Sequence, residues 1–217
     1  MRTLSTRTGY SAAERRSDLV VHLAGLAAVA LAVPALIGVT LLSRGDGLSL
    51  VATGIYAATL TATILFSALY NTVGQRRWTG ALRRLDHSAI YAKIAGTYTP
   101  FLLMSDGHTG LLAGLWTAAA AGIGLKLASP ERLRSLALAL CIGMGWTGIV
   151  AGGFLTAMSG PVVALILTGG ALYTLGIAFY LFDRLPFHYT IWHVFVLAAS
   201  MTFYAAVTLQ VTQAGMS

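Results

Sequence analysis

The chain has 217 residues, of which 57% are hydrophobic and 10% are charged, and its mean hydropathy is +0.76. Soluble globular domains usually carry about 25% charged residues, so the composition excludes an ordinary soluble enzyme. It also excludes a disordered chain, which needs high charge and few apolar residues. The single cysteine, Cys141, excludes a disulfide framework or a cysteine metal site within one chain. An all-α polytopic membrane protein remains.

Seven apolar runs follow one another along the chain, separated by charged residues or by proline and glycine. A membrane-spanning helix needs roughly 20 apolar residues, and the runs cover residues 19–42, 48–70, 87–104, 111–127, 136–158, 162–182 and 187–213. The first run is too long for the core of a signal peptide, so we expect it to be an uncleaved span. The sequence thus predicts a polar N-terminal segment, residues 1–18, and a seven-helix domain, residues 19–213.

Glycines are frequent in the fifth run. Small residues allow the backbones of membrane helices to approach closely. Tight helix packing is therefore predicted at Gly143, Gly145, Gly148, Gly152 and Gly153.

Basic residues are distributed unevenly between the two sides of the predicted bundle. The N-terminal segment and the second loop hold four each, the fourth loop three and the sixth loop one, whereas the other side holds Arg44 alone. Lys93 lies inside the third run. Because Lys and Arg collect in cytoplasmic loops, the N-terminus is predicted to be cytoplasmic and the C-terminus outside. The positive net charge then reflects membrane topology, and no nucleic-acid partner is expected.

Polar side chains recur at one level, the predicted cytoplasmic ends of four helices. Polar groups at membrane depth cost free energy unless they are paired, so they mark candidate functional sites. Ser67 and Asn71 are four residues apart and share one helical face. The full set on these helix ends is His22, Ser67, Asn71, Asp86, His87, His188, Tyr189 and His193.

Several of these residues lie in motifs that resemble those of the hemolysin III family, the bacterial branch of the progestin and adipoQ receptor superfamily. Asp18 stands in the opening pattern, where the family more often has asparagine. The similarity extends over about residues 10–207, and a bundle of seven helices with the N-terminus inside is implied. The motifs are FSALY at 66–70, DHSAIY at 86–91, IAGTYTP at 94–100, IWH at 191–193, and the opening residues Glu14, Asp18, His22 and Gly25.

The resemblance implies a zinc site near the cytoplasmic face, with one histidine from the second helix and two from the seventh. By position, Ser67 and Asp86 match the serine and aspartate that hold a metal-bound water, and His193 matches one histidine. Asn71 and Tyr189 occupy the other two histidine positions. A neutral amide is a poor zinc ligand, and a tyrosine ligates only when it is deprotonated.

His188 is an alternative ligand, although five residues separate it from His193. On an ideal helix this places the two side chains roughly 140° apart, so convergence needs an irregular first turn. Bound zinc therefore stays an open expectation. Lys93 also departs from the family pattern. Its side chain either pairs with Asp86, which predicts that Lys93→Met destabilises the protein, or extends towards a water-filled cavity.

Three functions are compatible with these residues. The first is a lipid-responsive or membrane-homeostasis protein that keeps a cytoplasmic-side polar cavity but has partly lost the zinc site. The second is a zinc-dependent hydrolase of lipid amides, ceramidase-like, with Asp86 and Ser67 in catalytic roles. The third is a pore-forming or cytolytic protein. Each predicts a multi-pass protein of the cell (inner) membrane with membrane lipid as its partner, and self-association as a homo-oligomer stays open.

Overall fold

The computed structural model describes residues 11–73, 77–104, 109–128, 133–151, 153, 155–182 and 184–214. Within these ranges the chain is helical and contains no strand, which confirms the all-α prediction. The described residues form seven α-helices: α1 Ala12–Ser43, α2 Gly47–Thr72, α3 Thr79–Leu103, α4 Thr109–Ala128, α5 Arg134–Val150, α6 Gly160–Leu181 and α7 His188–Ala214. Of these, α1, α2, α4, α6 and α7 are long and apolar enough to cross a membrane.

The fifth helix is shorter than the sequence predicts. The apolar run continues to residue 158, but α5 ends at Val150 and a separate 3₁₀ turn covers Leu155–Ala157. Gly153, between them, has a φ of 72°. A residue in the left-handed region cannot continue a right-handed helix, so the apolar run divides here into two elements.

Close helix packing occurs at two glycines outside the fifth run. A Cβ placed on Gly122 of α4 would clash with the ring of Tyr91 on α3, and one on Gly176 would lie 2.8 Å from Cβ of Phe195 on α7.

The packing prediction for the fifth run is wrong where its glycines face open space. At Gly143, Gly145 and Gly153 no atom comes within 4 Å of a Cβ built there, and Gly152 lies outside the described residues. The composition of a run shows where small residues occur, but it does not show which atoms of other helices they face.

The start of α1 is fixed against the start of α7. Ser11 and Glu14 form a capping box, in which each side chain bonds the backbone of the other, and such boxes satisfy the free N–H groups of a first turn. Glu14 also accepts a hydrogen bond from the backbone N–H of Phe187 at 3.0 Å. One turn further along, the hydroxyls of Ser17 and Thr190 lie 3.1 Å apart. These contacts set the register in which Asp18 meets α7.

Candidate functional site

Asp18 and His22 of α1 meet His193 of α7 in one buried cluster. Four residues separate Asp18 from His22, so both lie on the same face of α1. Oδ1 of Asp18 is 2.5 Å from Nδ1 of His193, and its Oδ2 is 3.6 Å from Nδ1 of His22. The two imidazole rings lie edge to face with centroids 4.4 Å apart. A carboxylate and two imidazoles therefore share one site between α1 and α7.

The hydrogen bonds indicate which nitrogen of each ring carries a proton. Nδ1 of His22 lies 2.8 Å from the carbonyl oxygen of Asp18, and a carbonyl can only accept, so this nitrogen donates. Nδ1 of His193 faces the carboxylate of Asp18 in the same way. In a neutral ring the other nitrogen then offers its lone pair. Nε2 of each histidine is thereby left as an acceptor, a base or a metal ligand.

Ser67 and Asn71 of α2 form the wall opposite His22. Nε2 of His22 is 3.3 Å from the hydroxyl of Ser67 and 3.4 Å from Nδ2 of Asn71. Asn71 also donates from Nδ2 to the backbone oxygen of Ser67 at 2.9 Å. Its amide thus presents donors to His22, which is the opposite role to that of a metal-binding histidine.

The two other histidine candidates lie apart from this cluster. His188 is buried, and its Nδ1 lies 3.2 Å from the backbone oxygen of Phe179 on α6. His87 contacts Tyr70 edge to face, with ring centroids 6.2 Å apart. Among the described residues, the group whose ligand atoms lie close enough to hold a metal ion is Asp18, His22 and His193; His188 is not brought to it.

A cavity of about 250 Å³ connects the cluster with the middle of the bundle. Its polar end is lined by His22, Ser67, Asp86, His87, Tyr189 and His193. Tyr189 lies beside His193, with ring centroids 4.6 Å apart and the rings nearly perpendicular. Most of its apolar walls come from α3, α5, α6 and α7. Six of the eight polar residues predicted at these helix ends thus line a single space, and Asn71 and His188 are not among its lining residues.

Lys93 lines the same cavity at a deeper level, which agrees with a side chain that extends towards a cavity and not with the alternative, pairing with Asp86. Its ammonium donates to the hydroxyl of Ser200 at 2.6 Å and lies over the ring of Tyr173, 4.4 Å from the centroid. Within the described part of the chain it makes no ion pair with Asp86. Asp86 precedes Lys93 on α3 by seven residues, about two helical turns. The lysine side chain extends towards Tyr173 on α6 and Ser200 on α7 instead.

Sequence reasoning had not placed Asp18, Tyr173 or Ser200 in the site. Asp18 carried an available signal, since it precedes His22 by four residues at the start of the first span. Ser200 follows His193 by seven residues, which puts both on one face of α7. Tyr173 stands in an apolar run with nothing in the sequence to connect it with Lys93.

The fold and site define a helical integral membrane protein with a buried carboxylate–histidine cluster at one end of a cavity. The family described as "Haemolysin-III related" matches residues 13–204, and the chain belongs to this family. It is similar to "Hemolysin-3" of Bacillus cereus, at 36% identity over 95% of both chains, and to "Hemolysin-3 homolog" of Bacillus subtilis, at 34% identity over 91% of this chain and 94% of that one.

A human relative extends the similarity beyond bacteria. "Monocyte to macrophage differentiation factor" is 28% identical over 193 residues, which are 82% of this chain and 78% of the human one. The link to the progestin and adipoQ receptors is thereby confirmed. Membership of this family, together with the apolar helices, identifies an integral membrane protein.

The zinc ligands that the family resemblance implies do not fit this chain at two of three positions. Asn71 offers N–H donors towards His22, and Tyr189 presents a ring to His193. Neither side chain is a good zinc donor in its neutral form. Zinc held at positions 71, 189 and 193 is incompatible with these contacts, so no chemistry is assigned to that arrangement.

Proposed function

We propose that the protein binds a membrane lipid in this cavity and responds to it, in a lipid-sensing or membrane-homeostasis role. The observation that carries the proposal is the division of the cavity wall into a polar end and apolar sides. The polar end offers hydroxyl, imidazole and carboxylate groups at His22, Ser67 and Asp86. Ligand sites of this kind combine apolar walls with a few polar groups that fix orientation, which suits an amphiphile with one polar group and a hydrocarbon chain.

The face of α6 that lines the cavity explains where the hydrocarbon chain would lie. Gly170, Tyr173, Thr174, Ile177 and Tyr180 follow the three- and four-residue spacing of one helical face, and all of them line the cavity. Gly170 leaves room beside Trp146, whose ring carbons lie 3.5 Å or more from a Cβ built there. An acyl chain entering between α5 and α6 would contact mostly carbon along this path.

A cavity-filling variant tests the proposal. In Ile177→Trp the added ring occupies the lipid path, while Leu175→Trp makes a comparable change at an exposed position outside the cavity lining. Lipid retained after purification in detergent is measured by mass spectrometry, and rebinding is measured with a fluorescent acyl lipid. We expect Ile177→Trp to lose bound lipid and Leu175→Trp to keep it. Equal retention in both variants would contradict a lipid site at this place.

Hydrolysis of a lipid amide is the second candidate, and a specific contact favours it. The hydroxyl of Ser67 lies beside Nε2 of His22, and Asp86 lines the same polar end. An imidazole whose Nε2 carries a lone pair, or a carboxylate, can take a proton from water or a hydroxyl, which is the first requirement for attack on an amide carbonyl. Fatty acid released from ceramide by the wild type, and lost in Asp86→Asn, would support this function; bound lipid recovered unchanged would favour sensing.

A further inference from the structure

We propose that Asp18, His22 and His193 form a binding site for a divalent transition-metal ion of the zinc class, held between α1 and α7. This ligand set shares only His193 with the one that the family resemblance implies. It takes its other two donors from the first helix instead of from the second helix and the seventh. The proposal concerns the metal alone and stands independently of lipid binding.

The donor set has the chemistry that zinc prefers. Two imidazoles and one carboxylate occur together in catalytic zinc sites, which keep a further position for water. One ligand atom from each of the three residues can be chosen so that all lie within 4.8 Å of one another. Ligand atoms around a tetrahedral zinc are about 3.3 Å apart, given bond lengths near 2.0 Å. Nδ1 of His22 and Nδ1 of His193 lie 3.6 Å and 2.5 Å from the two carboxylate oxygens of Asp18, and a bound ion would displace the protons that these nitrogens carry.

Burial and helix register make the arrangement a built site. The side chains of His22 and His193 are 5% and 8% exposed, and that of Asp18 is 16% exposed. Asp18 and His22 have the four-residue spacing that places two ligands on one helical face. The bonds of Glu14 to Phe187 and of Ser17 to Thr190 hold α7 beside that face, so the three donors meet without reorganisation of the backbone.

Two replacements in the chain are consistent with a relocated site. Where the resemblance expects histidine, position 71 carries an amide that donates towards Nε2 of His22. Where the family more often has asparagine, position 18 carries a carboxylate that contacts both histidines. Asn71 and Tyr189 leave two of the three implied ligand positions without histidine, and Asp18 and His22 on α1 offer two donors beside His193, so the cluster again has three ligands.

Metal titration of the full chain tests the proposal. The protein is purified in detergent without a histidine tag or chelators, Zn²⁺ binding is measured by calorimetry, and Co²⁺ is added to record the visible absorption that reports coordination geometry. We expect about one ion per chain. Asp18→Asn, His22→Ala and His193→Ala should each weaken binding by more than the roughly 10–100-fold that loss of a supporting hydrogen bond causes.

Matched controls separate this ligand set from the others in the cavity. His188→Ala, His87→Ala and Tyr189→Phe remove side chains of the same kinds outside the proposed set and should leave Zn²⁺ affinity within a few-fold of wild type. Asp18→Asn keeps the shape of the side chain, so its folded state is checked by thermal unfolding without metal. Absence of stoichiometric binding, or binding that survives Asp18→Asn and is lost in His188→Ala, would overturn the proposal.

Discussion

Two polar centres of the cavity balance charge in different ways. At the predicted cytoplasmic end, the carboxylate of Asp18 faces Nδ1 of both His22 and His193. In the middle of the bundle, the ammonium of Lys93 rests on a hydroxyl and an aromatic ring, which are neutral. The first centre is built like a ligand-binding site, whereas the second places one cation where an anion would be attracted.

This difference changes what a substitution at each centre should do. Removing a carboxylate that accepts from two buried imidazoles leaves their N–H groups unsatisfied, which is unfavourable. A buried charge with no opposite charge beside it carries a desolvation cost, and an apolar residue of similar shape removes that cost. The two centres should therefore respond to loss of charge with opposite signs.

The largest expected effect is at Asp18. In Asp18→Ala, Nδ1 of His22 and Nδ1 of His193 lose the carboxylate that they face, and we expect the free energy of unfolding to fall by about 1.5–3 kcal/mol for each of the two contacts, the range for hydrogen bonds to charged groups. Thermal unfolding in detergent measures the change. An unfolding temperature equal to that of wild type would show that the cluster adds nothing to stability.

Lys93→Met should act in the other direction. The ammonium is 2% exposed and has only neutral partners among the described residues, so methionine removes a desolvation cost and keeps the volume. Stability should rise by about 1 kcal/mol or more. Of the two alternatives that the sequence left open for Lys93, the ion pair with Asp86 predicted destabilisation. A lower unfolding temperature for Lys93→Met would restore that earlier interpretation.

A double-mutant cycle with Ser200→Ala tests whether the hydroxyl of Ser200 stabilises the ammonium of Lys93. In the wild type this change removes the acceptor of the Lys93 ammonium, and we expect a loss of about 1.5–3 kcal/mol. In the Lys93→Met background the loss should be much smaller, because the charged partner is already absent. Equal losses in the two backgrounds would mean that Ser200 acts through its bonds to Val196 and Tyr173 instead.

Asn71→His tests whether α2 can regain a ligand. The side chain at position 71 already approaches Nε2 of His22 to 3.4 Å, so a third imidazole would enter the same site. We expect Zn²⁺ to bind about tenfold or more tightly than to wild type, a gain in the range by which a single partner tunes a metal site. Asn71→Ala is the control and should leave the affinity near that of wild type.

The smallest effect is expected at Asp46, an exposed carboxylate that contrasts with Asp18. Asp46 caps α2 by accepting the backbone N–H of Ser49 at 2.8 Å, and this bond lowers the pKa of its carboxyl below the usual 3.8. Its stabilisation is therefore present above about pH 4 and is lost as the pH falls through the lowered pKa. Asp46→Ala should reduce the unfolding temperature slightly at pH 7, and the difference from wild type should shrink at acid pH.

Periodicity and charge predicted the helices well, because a membrane span must satisfy its own backbone and be apolar over a fixed length. They failed at the end of α5, where the backbone of Gly153 is left-handed within an apolar run. They also misplaced the tight helix contacts, since Gly122 and Gly176 are recognisable only from the rings opposite them.

The candidate site was predicted in part for a similar reason. The position of a residue along a span predicts its depth in the membrane, and His22, Ser67 and His193 are predicted at one depth. Depth alone does not show which helix supplies the remaining side chain of a cluster, so the sequence placed Asp18 in a motif and not in the site. The partners of Lys93 depend on contacts of α3 with α6 and α7, which no spacing along one helix describes.

X-ray absorption at the zinc edge, recorded on the zinc-loaded full chain in detergent, is the most direct test of a site built on α1 and α7. The account predicts scattering from two imidazole rings together with oxygen ligands, and loss of this signature in Asp18→Asn. Scattering from three imidazoles, or a signature that Asp18→Asn leaves unchanged, would contradict the assignment of Asp18, His22 and His193.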